Sequence, residues 1–176
     1  EAHNLHESHQ SAYKKFHGTE TALLKVLNDL LVALDDQKCV LFILLDLSAA
    51  FDTVDHEVLL RRLQEVIGLN RVALDWIRNY LSLRTQVVSI GEAFFEVLCL
   101  LYGVPQGSVL GPLLFIIYTS PLGEILRKHG AQYHLYADDT QIYFTFDVKD
   151  SKEVFAKAES CIQEIRRWMS ESYLSL

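Results

Sequence analysis

Apolar and polar positions along the chain change period from one segment to the next, and the changes predict alternating helices and strands. Between Thr19 and Asp36 apolar residues recur every three or four positions, which predicts an amphipathic helix. Its apolar face comprises Ala22, Leu23, Val26, Leu27, Leu30, Leu31 and Leu34. From Cys39 to Asp46 an uninterrupted apolar run follows a charged turn, and its length and flanking charges predict a buried strand.

Two helices and a hairpin are predicted in the middle of the chain. Residues 55–67 form a helix that Asp55 can cap, and residues 70–81 form the next one. Segments 84–90 and 93–101 resemble strands and flank a Gly-Glu pair, which predicts a hairpin. A loop over residues 103–108 follows.

The last third of the chain is predicted to contain a short helix, two further strands of the sheet and a closing helix. Residues 109–118 fit a helix or a buried strand, and the flanking Gly-Pro pair and Pro121 favour a short helix. Segments 132–136 and 140–146 read as two strands joined across Ala137, Asp138 and Asp139. A closing helix runs from Ser151 to Ser172, with an apolar face of Val154, Ala158, Cys161, Ile162, Ile165 and Met169. The predicted fold is α+β: a small antiparallel sheet with helices packed on one side, and chemistry in the loops at strand ends.

Composition fits one globular domain, because half of the 176 residues are hydrophobic and no linker or repeat interrupts them. The apolar runs are too short to cross a bilayer. Cys39, Cys99 and Cys161 are isolated among apolar residues and are interpreted as reduced core thiols of an intracellular protein.

The net charge of −7 is opposite in sign to the basic surface that usually binds nucleic acid. Clustered acidic residues account for part of it. Near the start of the chain, His3, His6 and His9 fall three apart and could share a helical face, but such a set is more often solvated than metal-binding.

Three carboxylates are the main candidates for chemistry. Asp46 ends the first apolar strand, and Asp138 and Asp139 occupy the junction of two others, so neighbouring strands would bring all three together. Like charges about 4 Å apart repel by ~1 kcal/mol in water and ~4 kcal/mol near a protein surface. A divalent cation relieves this repulsion, and oxygen ligands suit Mg²⁺ or Mn²⁺. Two such ions about 3.5–4 Å apart support nucleotidyl transfer. Taken singly, each acid is more often an ordinary turn residue.

Four segments in order resemble the motifs of LINE-type (non-LTR) reverse transcriptases. The segment DLSAAFDTVDH at 46–56 resembles motif A, and GVPQGSVLGP at 103–112 resembles motif B. The YADD box at 136–139 is motif C, and residues 10–24 resemble the fingers motif. The YADD box alone is a weak signal, whereas all four motifs in the family's order are a strong one.

The resemblance implies roles for the matching residues. Asp46 and Asp138 would hold metal ions, and Asp139 would support the pair. Phe51 matches the bulky gate that excludes a ribonucleotide 2′-hydroxyl, although it could equally be a core ring. Further residues would lie near the incoming nucleotide: Lys14, Leu47, Ser48, Gln106 and Gly107.

The resemblance also implies partners and extent. The chain would be a single reverse-transcriptase domain, with partial fingers over about 1–38 and the palm over about 39–176, and with thumb and endonuclease absent. It would use two Mg²⁺ ions, an RNA template, a DNA primer and deoxynucleotide triphosphates, inside the cell and, by analogy with the family, in the nucleus.

Two alternatives stay open. The acidic charge and the missing thumb favour a decayed or domesticated palm domain that binds nucleic acid or protein without catalysis. Another palm polymerase, such as an intron-encoded maturase or an RNA-dependent RNA polymerase, would share the acid cluster.

Overall fold

The computed structural model describes residues 7–175. Its chain divides into two compact units, one built from the chain up to Ala50 together with the chain from Thr119 onward, and the other from Phe51–Tyr118. In chain order the elements are α1 (Thr19–Asp35), β1 (Cys39–Leu45), α2 (His56–Glu65), α3 (Arg71–Leu81), β2 (Arg84–Gln86), β3 (Ser89–Ile90), β4 (Ala93–Phe94), β5 (Leu98–Leu100), α4 (Leu110–Thr119), α5 (Pro121–Lys128), β6 (Gln132–Tyr136), β7 (Asp139–Phe146) and α6 (Ser151–Glu171).

The first unit is organised around a three-stranded antiparallel sheet with the order β1-β7-β6. The N-terminal segment, residues 7–18, lies along the free edge of β6, where Gln10 forms a parallel bridge with Leu135. The Leu135 N–H donates to the His9 carbonyl, and the Ser11 N–H donates to the Leu135 carbonyl, both at 2.9 Å. The N-terminal segment is thereby fixed beside the hairpin that carries two of the candidate acids.

Helices cover both faces of this sheet, so the prediction of helices on one side is wrong. The Tyr143 hydroxyl donates a hydrogen bond to Asp29 of α1. Phe146 contacts Phe155 of α6, with ring centroids 6.1 Å apart. Because side chains alternate along a strand, residues three apart point to opposite faces. The sheet is therefore the central layer of this unit.

The predicted apolar positions of α1 and β1 are only partly buried. In α1 the buried residues are Ala22, Val26 and Ala33, whereas Leu23 is 69% exposed. Strand β1 was predicted to be buried, yet Leu44 is 66% exposed. Burial in β1 instead alternates along its second half, as in a strand with one covered face.

The second unit contains α2, α3 and two short strand pairs. Asp55 caps α2 by accepting a hydrogen bond from the Val58 N–H at 2.8 Å, as predicted. Strand β2 pairs with β5, and β3 pairs with β4 around Gly91, which has φ of 61°. The predicted hairpin is confirmed, but it is interrupted between the two pairs.

Three further sequence predictions can be compared with this fold. The segment 109–118 is helical, as favoured, and helix α5 behind it was not predicted. Cys161 is buried, Cys39 is half-buried and Cys99 is exposed, so the core-thiol prediction is wrong for Cys99. None of the helices within residues 7–175 combines the length and apolar character needed to cross a bilayer.

Candidate active site

The acids predicted to be catalytic lie at one end of the three-stranded sheet. Leu45 pairs with Thr140 in the antiparallel register. Asp46 follows directly and, by continuation of that register, comes opposite Asp139 where the pairing ends. Residues directly opposite one another on antiparallel strands have Cα atoms about 4.5–5.5 Å apart. The strand ends thus bring Asp46 and Asp139 side by side, with Asp138 in the adjoining turn.

We call Asp46, Asp138 and Asp139 the acid corner. Its electrostatics reflect the proximity of the three carboxylates. Partial desolvation of the Asp139 carboxyl, followed by the negative charges of Asp138 and Asp46, raises the pKa of Asp139 above its ordinary value. Asp46 and Asp139 are exposed and Asp138 is half-buried, so solvent and ligands can reach all three. A carboxylate whose pKa is raised by like charges gains stability from a nearby cation.

The donor chemistry of the corner fits a divalent cation held jointly with a substrate. Within residues 7–175, no three His, Cys, Asp or Glu side chains are already gathered around a point where they could hold a metal ion. Mg²⁺ in nucleotide enzymes is usually bound by one or two carboxylates together with substrate phosphates and water, and a closed cage of protein ligands is uncommon. The corner has the hard oxygen ligands that such an open site needs.

The turn that carries Asp138 has an unusual backbone. Tyr136 pairs with Asp139, so Ala137 and Asp138 are the two turn residues of a β-hairpin. Ala137 has φ of 56°, in the left-handed region that residues with a Cβ rarely adopt. Hairpin turns with a positive φ at this position usually have glycine there. An alanine in this position requires support from its surroundings.

Three predicted nucleotide-binding residues belong to the same unit as the acids. Leu47 is buried, and Ser48 is exposed with its N–H donating to the Ser175 carbonyl at 3.0 Å. The Ser48 N–H is therefore already paired, which limits its use as a phosphate donor. The half-buried Lys14 donates from Nζ to the Glu7 carbonyl oxygen at 3.5 Å.

In the second unit, the loop after β5 is joined to the segment before α2. The Gly103 N–H donates to the Val54 carbonyl and the Val104 N–H to the Phe51 carbonyl, both at 2.8 Å. Gly103 has φ of 83°, and a Cβ there would lie 3.0 Å from backbone atoms of Asp52. Only glycine allows this close approach, so the motif B loop and the end of motif A form one structure.

Phe51, Gln106 and Gly107 lie on this joined structure. The Phe51 ring stacks on Phe115 with centroids 4.6 Å apart, so its body is packed as a core ring. Gln106 is exposed and donates from Nε2 to Asp52 Oδ1 at 3.0 Å. Gly107 is exposed, with φ of 75°. The unit thus brings together the gate candidate and the predicted loop residues.

Sequence reasoning did not predict that Glu7 and Gln10, both in the N-terminal segment, are buried polar residues. The carboxylate of Glu7 accepts hydrogen bonds from Arg127 and from the Tyr133 hydroxyl, each at 2.8 Å. A Cβ on Gly123 would overlap this carboxylate, so the glycine makes room for it. The second residue, Gln10, is 2% exposed and bonds to the turn at Ala137. Their partners lie more than 100 residues away along the chain, so no local pattern indicates them. Of the three N-terminal histidines, His3 and His6 lie outside the described residues.

Comparison with known proteins supports the family resemblance that the four motifs indicate. A family model described as "Reverse transcriptase (RNA-dependent DNA polymerase)" matches residues 1–176. The chain belongs to the reverse transcriptase family. Its assignment to the LINE-type branch, made from the wording of motifs A and B, is also confirmed.

Its relatives include proteins of insect transposons. The chain is 29% identical over 174 residues to the probable RNA-directed DNA polymerase from transposon X-element of Drosophila melanogaster, which covers 96% of this chain and 19% of the relative. It is 30% identical over 161 residues to the RNA-directed DNA polymerase from mobile element jockey of the same species, covering 88% of this chain and 17% of the relative. The chain therefore spans less than a fifth of the length of these relatives.

Proposed function

We propose that this chain carries the catalytic centre for RNA-templated DNA synthesis by two-metal nucleotidyl transfer, in a retrotransposon context. The observation that supports this most directly is the strand register, in which Asp46 comes opposite Asp139 beside the Asp138 turn. The raised pKa of Asp139 is a second sign that the acids interact. A carboxylate whose pKa is raised by a specific charged neighbour, at an accessible strand end, is a candidate for a functional site.

In this proposal Asp46 and Asp138 hold two Mg²⁺ ions, with Mn²⁺ as a substitute, and Asp139 supports the pair. Bound there, the ions would activate the primer 3′-hydroxyl and stabilise the leaving pyrophosphate. The protein's own contribution is to fix the carboxylates at the ends of paired strands, where their positions vary little. Such preorganised charge is the main source of catalysis in phosphoryl transfer.

The remaining motif residues would bind the incoming deoxynucleotide triphosphate. Phe51 would exclude a 2′-hydroxyl, because its ring is held in one orientation by the stack on Phe115. Gln106 and Gly107 would approach the nucleotide or template from an exposed loop. Lys14, Leu47 and Ser48 would lie near the triphosphate. The Leu47 backbone is the stronger candidate of the last two, since the Ser48 N–H is bonded to Ser175.

The relatives supply the context of the proposal. They are RNA-directed DNA polymerases of mobile elements, so this chain would act with an RNA template and a DNA primer. The fingers and palm boundaries, about 1–38 and 39–176, stay part of the proposal. A retrotransposon enzyme of this kind would act on chromosomal DNA in the nucleus.

Primer extension on an RNA template tests the proposal, using the longest protein product that carries these residues. Asp138→Asn should abolish extension, because it removes a charge from the acid corner. Asp75→Asn makes the same chemical change at an exposed position of α3 in the other unit and should leave extension intact. Equal extension by the native protein and Asp138→Asn would reject the two-metal proposal.

A non-catalytic palm domain is the second candidate, and the net charge of −7 is the observation that favours it. Such a domain would bind nucleic acid or protein without using nucleotides. The two candidates differ in Mg²⁺-dependent binding of a deoxynucleotide triphosphate, measured by calorimetry on folded protein. Binding that Asp138→Asn abolishes would support the polymerase, and a folded native protein without binding would support the alternative.

A further inference from the structure

The side chain of Gln10 is built into the turn that carries Asp138. Its Oε1 accepts hydrogen bonds from the Ala137 N–H at 3.1 Å and from the Ala12 N–H at 2.9 Å. Its Nε2 donates to the Ala137 carbonyl oxygen at 3.4 Å. Because two N–H groups converge on one end of the amide, the oxygen must lie there and the orientation of the amide is determined.

The main chain holds Gln10 in place for this role. Backbone hydrogen bonds of 2.9 Å on each side of it, from Leu135 to His9 and from Ser11 to Leu135, attach the segment to β6. Gln10 is itself 2% exposed, so its side chain has little freedom to leave the turn. The Gln10 amide therefore binds both the N–H and the C=O of Ala137, and we call these two hydrogen bonds the clamp.

The clamped residue is the one with the unfavourable backbone. Ala137 has φ of 56°, which costs free energy for any residue with a Cβ and persists only when its surroundings hold it. A turn that relaxed toward a common geometry would reorient the next residue, Asp138. Hydrogen bonds to both the N–H and the C=O of Ala137 oppose rotation of the two peptide groups that set this φ.

We infer that Gln10 is a positioning residue for nucleotidyl transfer: it holds the Ala137 turn in its left-handed conformation and so fixes the direction of the Asp138 carboxylate. The consequence for catalysis rests on the function proposed above, whereas the clamp on the turn does not. Gln10 acts through Ala137 and touches no reacting group. Loss of the clamp should therefore lower kcat more than it raises KM for the nucleotide.

Gln10→Met tests the inference, because methionine has a similar length and cannot make these hydrogen bonds. Hydrogen exchange on the full chain should show that the Ala137 amide loses its protection, while Ile142 in the middle of β7 keeps its own. In primer extension, kcat should fall by up to about 10²-fold, the typical effect of misplacing a catalytic group by 1 Å. Adding Ala137→Gly should restore part of kcat, since glycine adopts positive φ without strain.

Tyr133→Phe is the matched control. It removes the hydrogen bond that the Tyr133 hydroxyl donates to Glu7 and the one that it accepts from Arg127, and it leaves the Ala137 turn untouched. It should lower the melting temperature without lowering kcat. A role of Gln10 only in fastening the segment would make both variants lose activity alike, and Ala137→Gly would then rescue neither.

The outcomes separate the two proposals. An Ala137 amide that stays protected in Gln10→Met would overturn the clamp, whatever the activity. A lost protection with unchanged kcat would overturn the positioning role while leaving the polymerase proposal intact. A native protein without RNA-templated extension would refute the proposed function, and hydrogen exchange would still decide whether Gln10 holds the turn.

Discussion

Replacing Arg127 with methionine should destabilise the first unit, because a buried carboxylate would lose its cation. The Arg127 guanidinium donates to both oxygens of Glu7 at 2.8 Å. The Glu7 side chain is 5% exposed, whereas that of Arg127 is 48% exposed. Methionine keeps much of the aliphatic length of arginine, so the substitution mainly removes charge and hydrogen bonds.

The size of the effect follows from this asymmetric burial. Breaking a buried ion pair by removing one partner usually costs about 3–5 kcal/mol, because the other charge stays uncompensated. Water reaches the arginine side of this pair and weakens it. Tyr133 also keeps its hydrogen bond to Glu7. We therefore expect the free energy of unfolding to fall by about 2–3 kcal/mol near neutral pH, below the usual range.

The loss should depend on pH with a definite sign. Burial raises the pKa of Glu7, but hydrogen bonds from Arg127 and Tyr133 and the charge of Arg127 outweigh it and hold this pKa below its ordinary value. In the native protein, the stabilisation is thus present above the unfolded-state pKa and lost as pH falls through the folded one. Without Arg127 burial dominates and the folded pKa should exceed the unfolded one, so stability should fall as pH rises through it.

Urea unfolding followed by circular dichroism, at about pH 7 and about pH 4, measures this difference. The gap between native protein and Arg127→Met should be large at the higher pH and small at the lower one. The double variant Glu7→Gln/Arg127→Met should recover much of the loss, because it removes the buried charge as well. Equal losses at both pH values, or a double variant as unstable as the single, would refute the buried-charge explanation and indicate lost packing.

Three further substitutions test the second unit. Phe51→Val should increase ribonucleotide incorporation in primer extension and, because it breaks the stack on Phe115, lower stability by roughly 1–3 kcal/mol; unchanged sugar selectivity would reject the gate. Gly103→Ala should cost about 1–3 kcal/mol in thermal unfolding, since its Cβ would meet the Asp52 backbone at 3.0 Å with φ already positive; a neutral effect would show that the two segments can separate freely. Asp55→Ala should lower the free energy of unfolding by about 1 kcal/mol, because α2 loses its cap, whereas Asp55→Asn should retain most of the stabilisation by the cap.

The elements that the sequence predicted well are those with strong local signals. Helix α2 begins after its predicted cap, and α6 begins at the predicted residue. The three long strands also lie within a residue of their predicted bounds, because apolar runs and flanking turns mark both ends. Such boundaries depend on neighbours along the chain and need no knowledge of tertiary contacts.

Helix α5 was missed because Pro121 was interpreted as the end of the preceding helix. Proline is also favoured at the first position of a helix, where its missing N–H costs nothing. Here it begins α5 after a single residue, Ser120. The second error, helices on one side of the sheet, could have been avoided from the sequence. Ile142, Tyr143 and Phe144 form a consecutive apolar and aromatic run, which is typical of a strand covered on both faces, and all three are buried.

The residues of the candidate site also fall into those with a local sequence signal and those without one. The identities of the acids, the gate candidate and the glycines come from contiguous motifs, so the sequence indicated them. Glu7 and Gln10 bond to partners 120 to 127 positions away. Gln10 begins the segment that resembles the fingers motif, but nothing in the local sequence indicates that either side chain is buried. Only the docking of the N-terminal segment on β6 reveals that they are buried.

Alanine at position 137 shows why this distant support matters for the chemistry. Glycine would adopt φ of 56° at no steric cost, but it would also accept several other turn geometries and direct the Asp138 carboxylate variably. Alanine restricts the alternatives, and the Gln10 amide selects the strained one among them. In the proposed mechanism Asp46 and Asp138 share metal ions and a nucleotide, and ligands of this kind need fixed directions, because small displacements of a catalytic ligand are costly. The turn therefore keeps an unfavourable backbone conformation, and the Asp138 carboxylate is held in one direction as a result.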